Sequence, residues 1–160
     1  MDSSQIFEGT KQGIVAFVAT FIAIFVLAQF PPITHFSLFL DPVKLGTIKF
    51  FDAHNLLATF AVVGSNLYAL VGMSPLVVVA ILLPPLVLVL QGRDVVADAS
   101  PDAAASTLAT RGALVVVGYA PLAIAGAFFV FDGVSTADVV LTTAVYPLVF
   151  GALGGASTRL

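Results

Sequence analysis

Long apolar runs alternate with short polar stretches along this sequence. A helix needs about 17–25 mostly apolar residues to cross the roughly 30 Å hydrocarbon layer of a bilayer. The pattern therefore predicts an all-α integral membrane protein, a bundle of five transmembrane helices that forms one domain over residues 1–160. The five predicted spans cover residues 13–30, 56–73, 75–91, 112–131 and 139–156.

Local signals mark the ends of several predicted helices. Pro31 ends the first run, because proline cannot continue a helix. Asp52 stands at the start of the second run and is expected to cap it. Ser135 and Asp138 have the spacing of a capping box before the fifth run. The segment 31–50 is rich in apolar side chains, which favours a loop lying in the membrane interface.

Composition supports a membrane location. Apolar residues make up 59% of the chain, charged residues 9%, and the mean hydropathy is +1.10. A soluble domain carries roughly 25% charged residues, so this chain lacks the charge to cover a surface in water. A net charge of −3 without a basic run argues against nucleic-acid binding. The lack of cysteine excludes disulfides and thiolate metal sites.

Basic residues predict the orientation of the five-helix bundle. Five of the six lie on the side that holds segments 31–50, 92–111 and the C-terminus. That side is cytoplasmic by the positive-inside rule, which leaves the N-terminus outside. A four-span arrangement divides the same residues four to two. Four spans would also require one helix over residues 51–91, which would be about 60 Å long, so five spans are preferred.

The most polar cluster of the sequence is Asp52, His54 and Asn55, at the start of the second span. One interpretation is a metal or phosphate-headgroup site, joined by His35 and Asp41. The other is that Asp52 caps the helix while its neighbours lie at the wet interface. The second is preferred, because two histidines without spaced carboxylates are a weak metal signal. No metal or cofactor is predicted.

Polar and small residues within the spans indicate helix packing. Asn66 lies near the middle of the second span, where a buried amide needs a partner on another helix or on a substrate. Small residues that suit close packing or self-association form a stripe on the second span and a pair on the fifth. They are Ala61, Ser65 and Ala69, and Gly151 and Gly155.

Prolines interrupt the last three spans near their centres, and each frees a carbonyl of its helix. Such breaks are either fixed kinks or binding sites in transporters. If the kinks converge, their carbonyls would form a polar spot near the midplane with Asn66 and Tyr119. The span centres lack Asp, Glu, Lys, Arg and His, which argues against proton coupling. The candidate kinks are Pro84, Pro85, Pro121 and Pro147.

Three motifs carry a resemblance to known proteins: LLPPLVLVL at 82–90, GYAPLA at 118–123 and YPLVFGALGG at 146–155. Together they resemble a group of small uncharacterised multi-pass membrane proteins of halophilic archaea. The resemblance implies a cell-membrane location and a halophilic source, and it implies no activity.

Two functional hypotheses follow from these features. The first is a non-enzymatic scaffold or membrane-complex subunit that packs with a second copy or another membrane partner. The alternative is a small permease or channel whose kinked helices line a path. A membrane-embedded enzyme is least favoured, because none of the common hydrolase, metalloprotease or nucleotide-binding motifs is present. The lipid bilayer is the one partner that composition itself predicts.

Overall fold

The computed structural model describes residues 3–30, 41–63, 74–129 and 134–159, and its regular structure there is helical throughout. The prediction of an all-α chain is therefore confirmed for these residues. The helices are α1 (Ser3–Leu27), α2 (Pro42–Val63), α3 (Pro75–Asp94), α4 (Ala105–Gly112), α5 (Val115–Phe129), α6 (Thr136–Val140) and α7 (Tyr146–Ser157), with a π-helical turn over Leu141–Val145 between the last two.

Four stretches of the described chain are long and apolar enough to cross a membrane. They match the first, third, fourth and fifth predicted spans, and each begins earlier or ends later than the apolar run that predicted it. Polar residues at the helix ends continue the helical hydrogen bonds, but they lie outside the apolar runs from which the spans were predicted. The stretches are Ser3–Leu27, Pro75–Asp94, Ala105–Phe129 and Thr136–Ser157.

The second predicted span, residues 56–73, starts too late, and its part over residues 64–73 lies outside the described residues. α2 begins at Pro42, so much of the predicted interfacial loop is helical. Asp41 precedes the helix, and the Val43 N–H donates to its Oδ1 at 2.8 Å. Proline suits the first helical position after such a residue. The prediction that Asp52 caps this helix is wrong, because Asp52 lies in its interior.

α1 and α2 pack antiparallel. Phe25, near the end of α1, lies against Gly46, near the start of α2. Further along α2, the Phe50 ring meets Phe21 and Phe17 at centroid distances of 5.8 and 5.2 Å. Residues later in α2 therefore contact residues earlier in α1, which is the order of an antiparallel pair.

α2 is also antiparallel to α5, so α1 and α5 are parallel to each other. Thr47 and Phe51 of α2 lie nearest Gly126, close to the end of α5. His54, later in α2, is hydrogen-bonded to Tyr119, earlier in α5.

The starts of α1 and α4 and the ends of α3 and α7 share one end of the bundle, which we call the terminal end. A groove of about 390 Å³ is lined there by Glu8 of α1 together with Asp98 and Arg111. Arg159 Nη2 donates to the carbonyl oxygen of Ser100 at 2.8 Å. The predicted topology separated the N-terminus from the other segments by a membrane, and these contacts bring all of them together. The end of α1 and the start of α6 lie at the other, distal end.

Glycines let neighbouring helices approach to backbone contact. At Gly13 of α1 and Gly118 of α5, an added Cβ would meet backbone atoms of the facing helix. The predicted Gly151 and Gly155 pair is buried against α4 in the same manner. This pair therefore serves packing within the chain.

The candidate kink prolines do not share one surface. Pro84 and Pro85 within α3 and Pro147 in α7 are buried, whereas Pro121 within α5 is exposed. A single polar spot lined by all the freed carbonyls is therefore not formed.

Candidate functional site

α2 places His54 in the centre of the bundle. Its neighbours Phe50, Phe51 and Ala53 are buried with it, and this apolar surface turns that side of the helix inward. The His54 side chain is 0% exposed. Its Nδ1 lies 2.7 Å from the Phe50 carbonyl oxygen, and its Nε2 lies 2.9 Å from Tyr119 Oη. The prediction that His54 lies at a wet interface is wrong.

These partners define where the protons of His54 are. A carbonyl oxygen only accepts, so Nδ1 carries a proton and donates it to Phe50. In the neutral ring Nε2 then accepts from the Tyr119 hydroxyl. Both ring nitrogens are thereby used, and no lone pair is left for a metal ion.

Tyr146 joins the same site from α7. Its hydroxyl donates to the backbone carbonyl of His54 at 2.5 Å, and its ring stands edge-on to the imidazole at a centroid distance of 4.8 Å. The π-helical turn ends just before it, where the Tyr146 N–H donates to the Leu141 carbonyl. Pro147 has no N–H and therefore interrupts the helical hydrogen bonds. The π-helical turn lies directly before this interruption.

His54, Tyr119 and Tyr146 form what we call the His54 cluster. The tyrosines lie near the middles of the apolar stretches Ala105–Phe129 and Thr136–Ser157. The cluster therefore ties α2 to α5 and α7 midway along the bundle. Tyr119 is 0% exposed and Tyr146 3%, so the cluster is closed to solvent. Its hydrogen bonds are of the kind that hold helices together in an apolar setting.

Asp52 and Asn55 lie on a different face of α2 from His54. Lys49 Nζ donates to Asp52 Oδ2 at 2.9 Å, and both side chains are partly exposed. The sequence grouped Asp52, His54 and Asn55 as one polar cluster. The helix divides them, with the imidazole directed inward and the ion pair outward.

The metal interpretation gains no support from the described residues, in which no group of three His, Cys, Asp or Glu side chains could hold an ion. His35, its proposed further ligand, lies outside the described part of the chain, as do Ser65, Asn66 and Ala69. Ala61 lies in α2 without a described side chain. Their predicted packing and binding roles stay predictions.

A model of one protein family matches residues 1–160, and its description reads "Family of unknown function (DUF7978)". The chain belongs to DUF7978. No curated protein and no solved structure matches the sequence. DUF7978 membership covers the whole chain, including the His54 cluster, and assigns it no activity.

Sequence reasoning placed Tyr119 near a midplane polar spot and missed Tyr146 as a partner of His54. The available signal was a tyrosine near the centre of an otherwise apolar helix, because a buried phenol hydroxyl usually needs a hydrogen-bond partner. The Asp41-Pro42 pair was likewise a readable start signal for α2.

Proposed function

We propose that this DUF7978 chain is a multi-pass integral membrane protein whose described residues make four crossings. The four long apolar stretches supply the crossings. Large apolar side chains project from the outer faces of the bundle, among them Phe128 at 69% exposure, Ile22 and Leu86. Lipid is the environment in which such a surface is stable, since soluble monomers rarely expose large contiguous apolar patches.

Four crossings also agree with where the helices begin and end. Termini at one end of the bundle require an even number of passages. α2 starts at the distal end, and α3, which ends beside Glu8, starts there too. The chain between α1 and α3 therefore makes no net crossing.

The terminal end is the cytoplasmic side in this proposal. It holds four of the six basic residues, and the positive-inside rule assigns the richer side to the cytoplasm. The resemblance to membrane proteins of halophilic archaea supports the cell membrane as the location. The four basic residues are Lys11, Arg93, Arg111 and Arg159.

Within the membrane, the chain acts as a non-enzymatic scaffold or complex subunit. The observation that carries this proposal is the closed state of the His54 cluster. The side chains of the His54 cluster are hydrogen-bonded to each other and to the α2 backbone and are buried, so the cluster presents no open face to a substrate or an ion. Their chemistry is that of a fixed joint between helices.

Reconstitution into proteoliposomes tests this function. A packed subunit is expected to add no leak of potassium, chloride or a small neutral solute above that of protein-free vesicles. His54→Ala, which removes the imidazole at the joint, is the matched variant for detecting a leak caused by opening the bundle. Saturable flux through the natural protein would contradict the scaffold proposal.

A small permease is the second candidate, because α2 carries Lys49 and Asp52 within a helix of the bundle, whereas the predicted second span begins after both residues. Lys49 and Asp52 lie beside the bundle between its distal end and the His54 cluster. Ionisable groups at such depth usually mark paths for water or ions.

A further inference from the structure

One face of α2 carries polar side chains between Lys44 and Asn55, unlike the outer faces of the other long helices. Lys44, Asp52 and Asn55 follow one another at spacings of eight and three residues, which places them on one side of a helix. Ile48 lies among them, one turn before Asp52. Lys44 is exposed, and the side chains of Lys49 and Asp52 are 32% and 46% exposed. The opposite face holds the buried residues that pack on α1 and α5.

This polar face extends well into the bundle. Gly46 lies against Phe25 near the end of α1, and His54 is bonded to Tyr119 near the middle of the stretch Ala105–Phe129. Asp52 lies between these two levels, about 9 Å along α2 from Gly46 at 1.5 Å per residue. On the four-crossing proposal, its level is within the hydrocarbon layer.

Charged side chains that face lipid within the hydrocarbon layer are strongly unfavourable. An ion pair reduces that cost, yet half-exposed charges still need polar surroundings. We propose that the polar face of α2 lines a water-filled inlet that opens at the distal end and stops at the level of the His54 cluster. This inference rests on the membrane location proposed above.

The side chains define what the inlet admits. Lys44 lies at its mouth, and the paired Lys49 and Asp52 lie deeper. Water and small inorganic ions fit such a mixed lining, which holds the exposed Lys44 and the Lys49–Asp52 ion pair. The inlet does not continue past the level of the His54 cluster, because His54, Tyr119 and Tyr146 are buried there. The inlet is a vestibule that ends within the membrane.

Cysteine labelling tests the inlet in a chain that has no native cysteine. Ile48→Cys reports on the deep polar face without removing the ion pair. Lys44→Cys reports on the mouth. Ile22→Cys, next to Phe21 and therefore at a similar level to Phe50, reports on an exposed apolar face of α1. Each is treated in membranes with a charged, membrane-impermeant methanethiosulfonate from the side of the distal end.

An inlet predicts that Ile48→Cys reacts within about tenfold of the rate of Lys44→Cys, while Ile22→Cys stays essentially unlabelled, because a thiol in lipid forms little reactive thiolate. Labelling of Lys44→Cys without Ile48→Cys would overturn the inlet and leave the membrane proposal intact. Rapid labelling of Ile22→Cys would overturn the membrane proposal itself. If Ile48→Cys does not accumulate, Asp52→Cys decides by the same comparison.

Discussion

At the residue scale, the hydrogen bond between Tyr119 and His54 can be tested by a single conservative substitution. Tyr119→Phe removes one hydroxyl and leaves Nε2 of a fully buried imidazole without its partner. An unsatisfied buried acceptor costs about 1–3 kcal/mol, so we expect the purified protein in detergent to unfold at lower temperature. Phe128→Leu, at an exposed position, is the control that should melt as the natural protein does.

The coupling energy between His54 and Tyr119 distinguishes loss of their hydrogen bond from loss of side-chain packing. The double variant His54→Leu with Tyr119→Phe removes both polar partners. Its loss of stability should be smaller than the sum of the two single losses, because no unpaired polar atom remains. Strict additivity would mean that the hydrogen bond contributes nothing to the joint.

At the element scale, close helix contacts predict which glycines tolerate a methyl group. Gly118→Ala would place a Cβ against the backbone of α1 near Thr10, so the two helices must separate. Overpacking of this kind typically costs about 1–3 kcal/mol. Gly126 lies on the same helix and is the matched control. The Cβ of Gly126→Ala would lie 3.7 Å from Thr47 Cγ2, which is an ordinary van der Waals contact.

Thermal unfolding of the two alanine variants in one detergent measures this difference. Gly118→Ala is expected to melt well below Gly126→Ala, since both gain the same helix propensity and only one clashes. Equal melting temperatures would show that α1 and α5 do not pack as closely as described.

At the scale of the whole molecule, the four-crossing arrangement makes a topological prediction. Ser3→Cys and Ser106→Cys lie near the terminal end at exposed positions, and Ala137→Cys lies at the distal end without disturbing the Ser135–Asp138 capping box. An impermeant thiol reagent should reach Ser3→Cys and Ser106→Cys from the cytoplasmic side and Ala137→Cys from outside. Five crossings would instead place Ser3→Cys outside with Ala137→Cys.

Helical class and four of the apolar stretches were predictable from the sequence by itself. Hydropathy over about 20 residues and capping spacing are local properties, so they locate Pro75–Asp94 and the capping box at Ser135 without any knowledge of the fold. Hydropathy averaged over such a window placed the start of α2 too late. Its charged residues lower the mean hydropathy of a helix whose opposite face is buried.

Only the tertiary structure decided what His54 does and which segments share one end of the bundle. His54 meets Tyr119 and Tyr146 across 65 and 92 positions of sequence, and no local pattern specifies such pairs. The side on which the N-terminus lies depends on whether α1 runs parallel to α5. The approach of Gly13 to Gly118 and the partners of Phe50 decide that direction, because helix packing is set by the shapes of the facing surfaces.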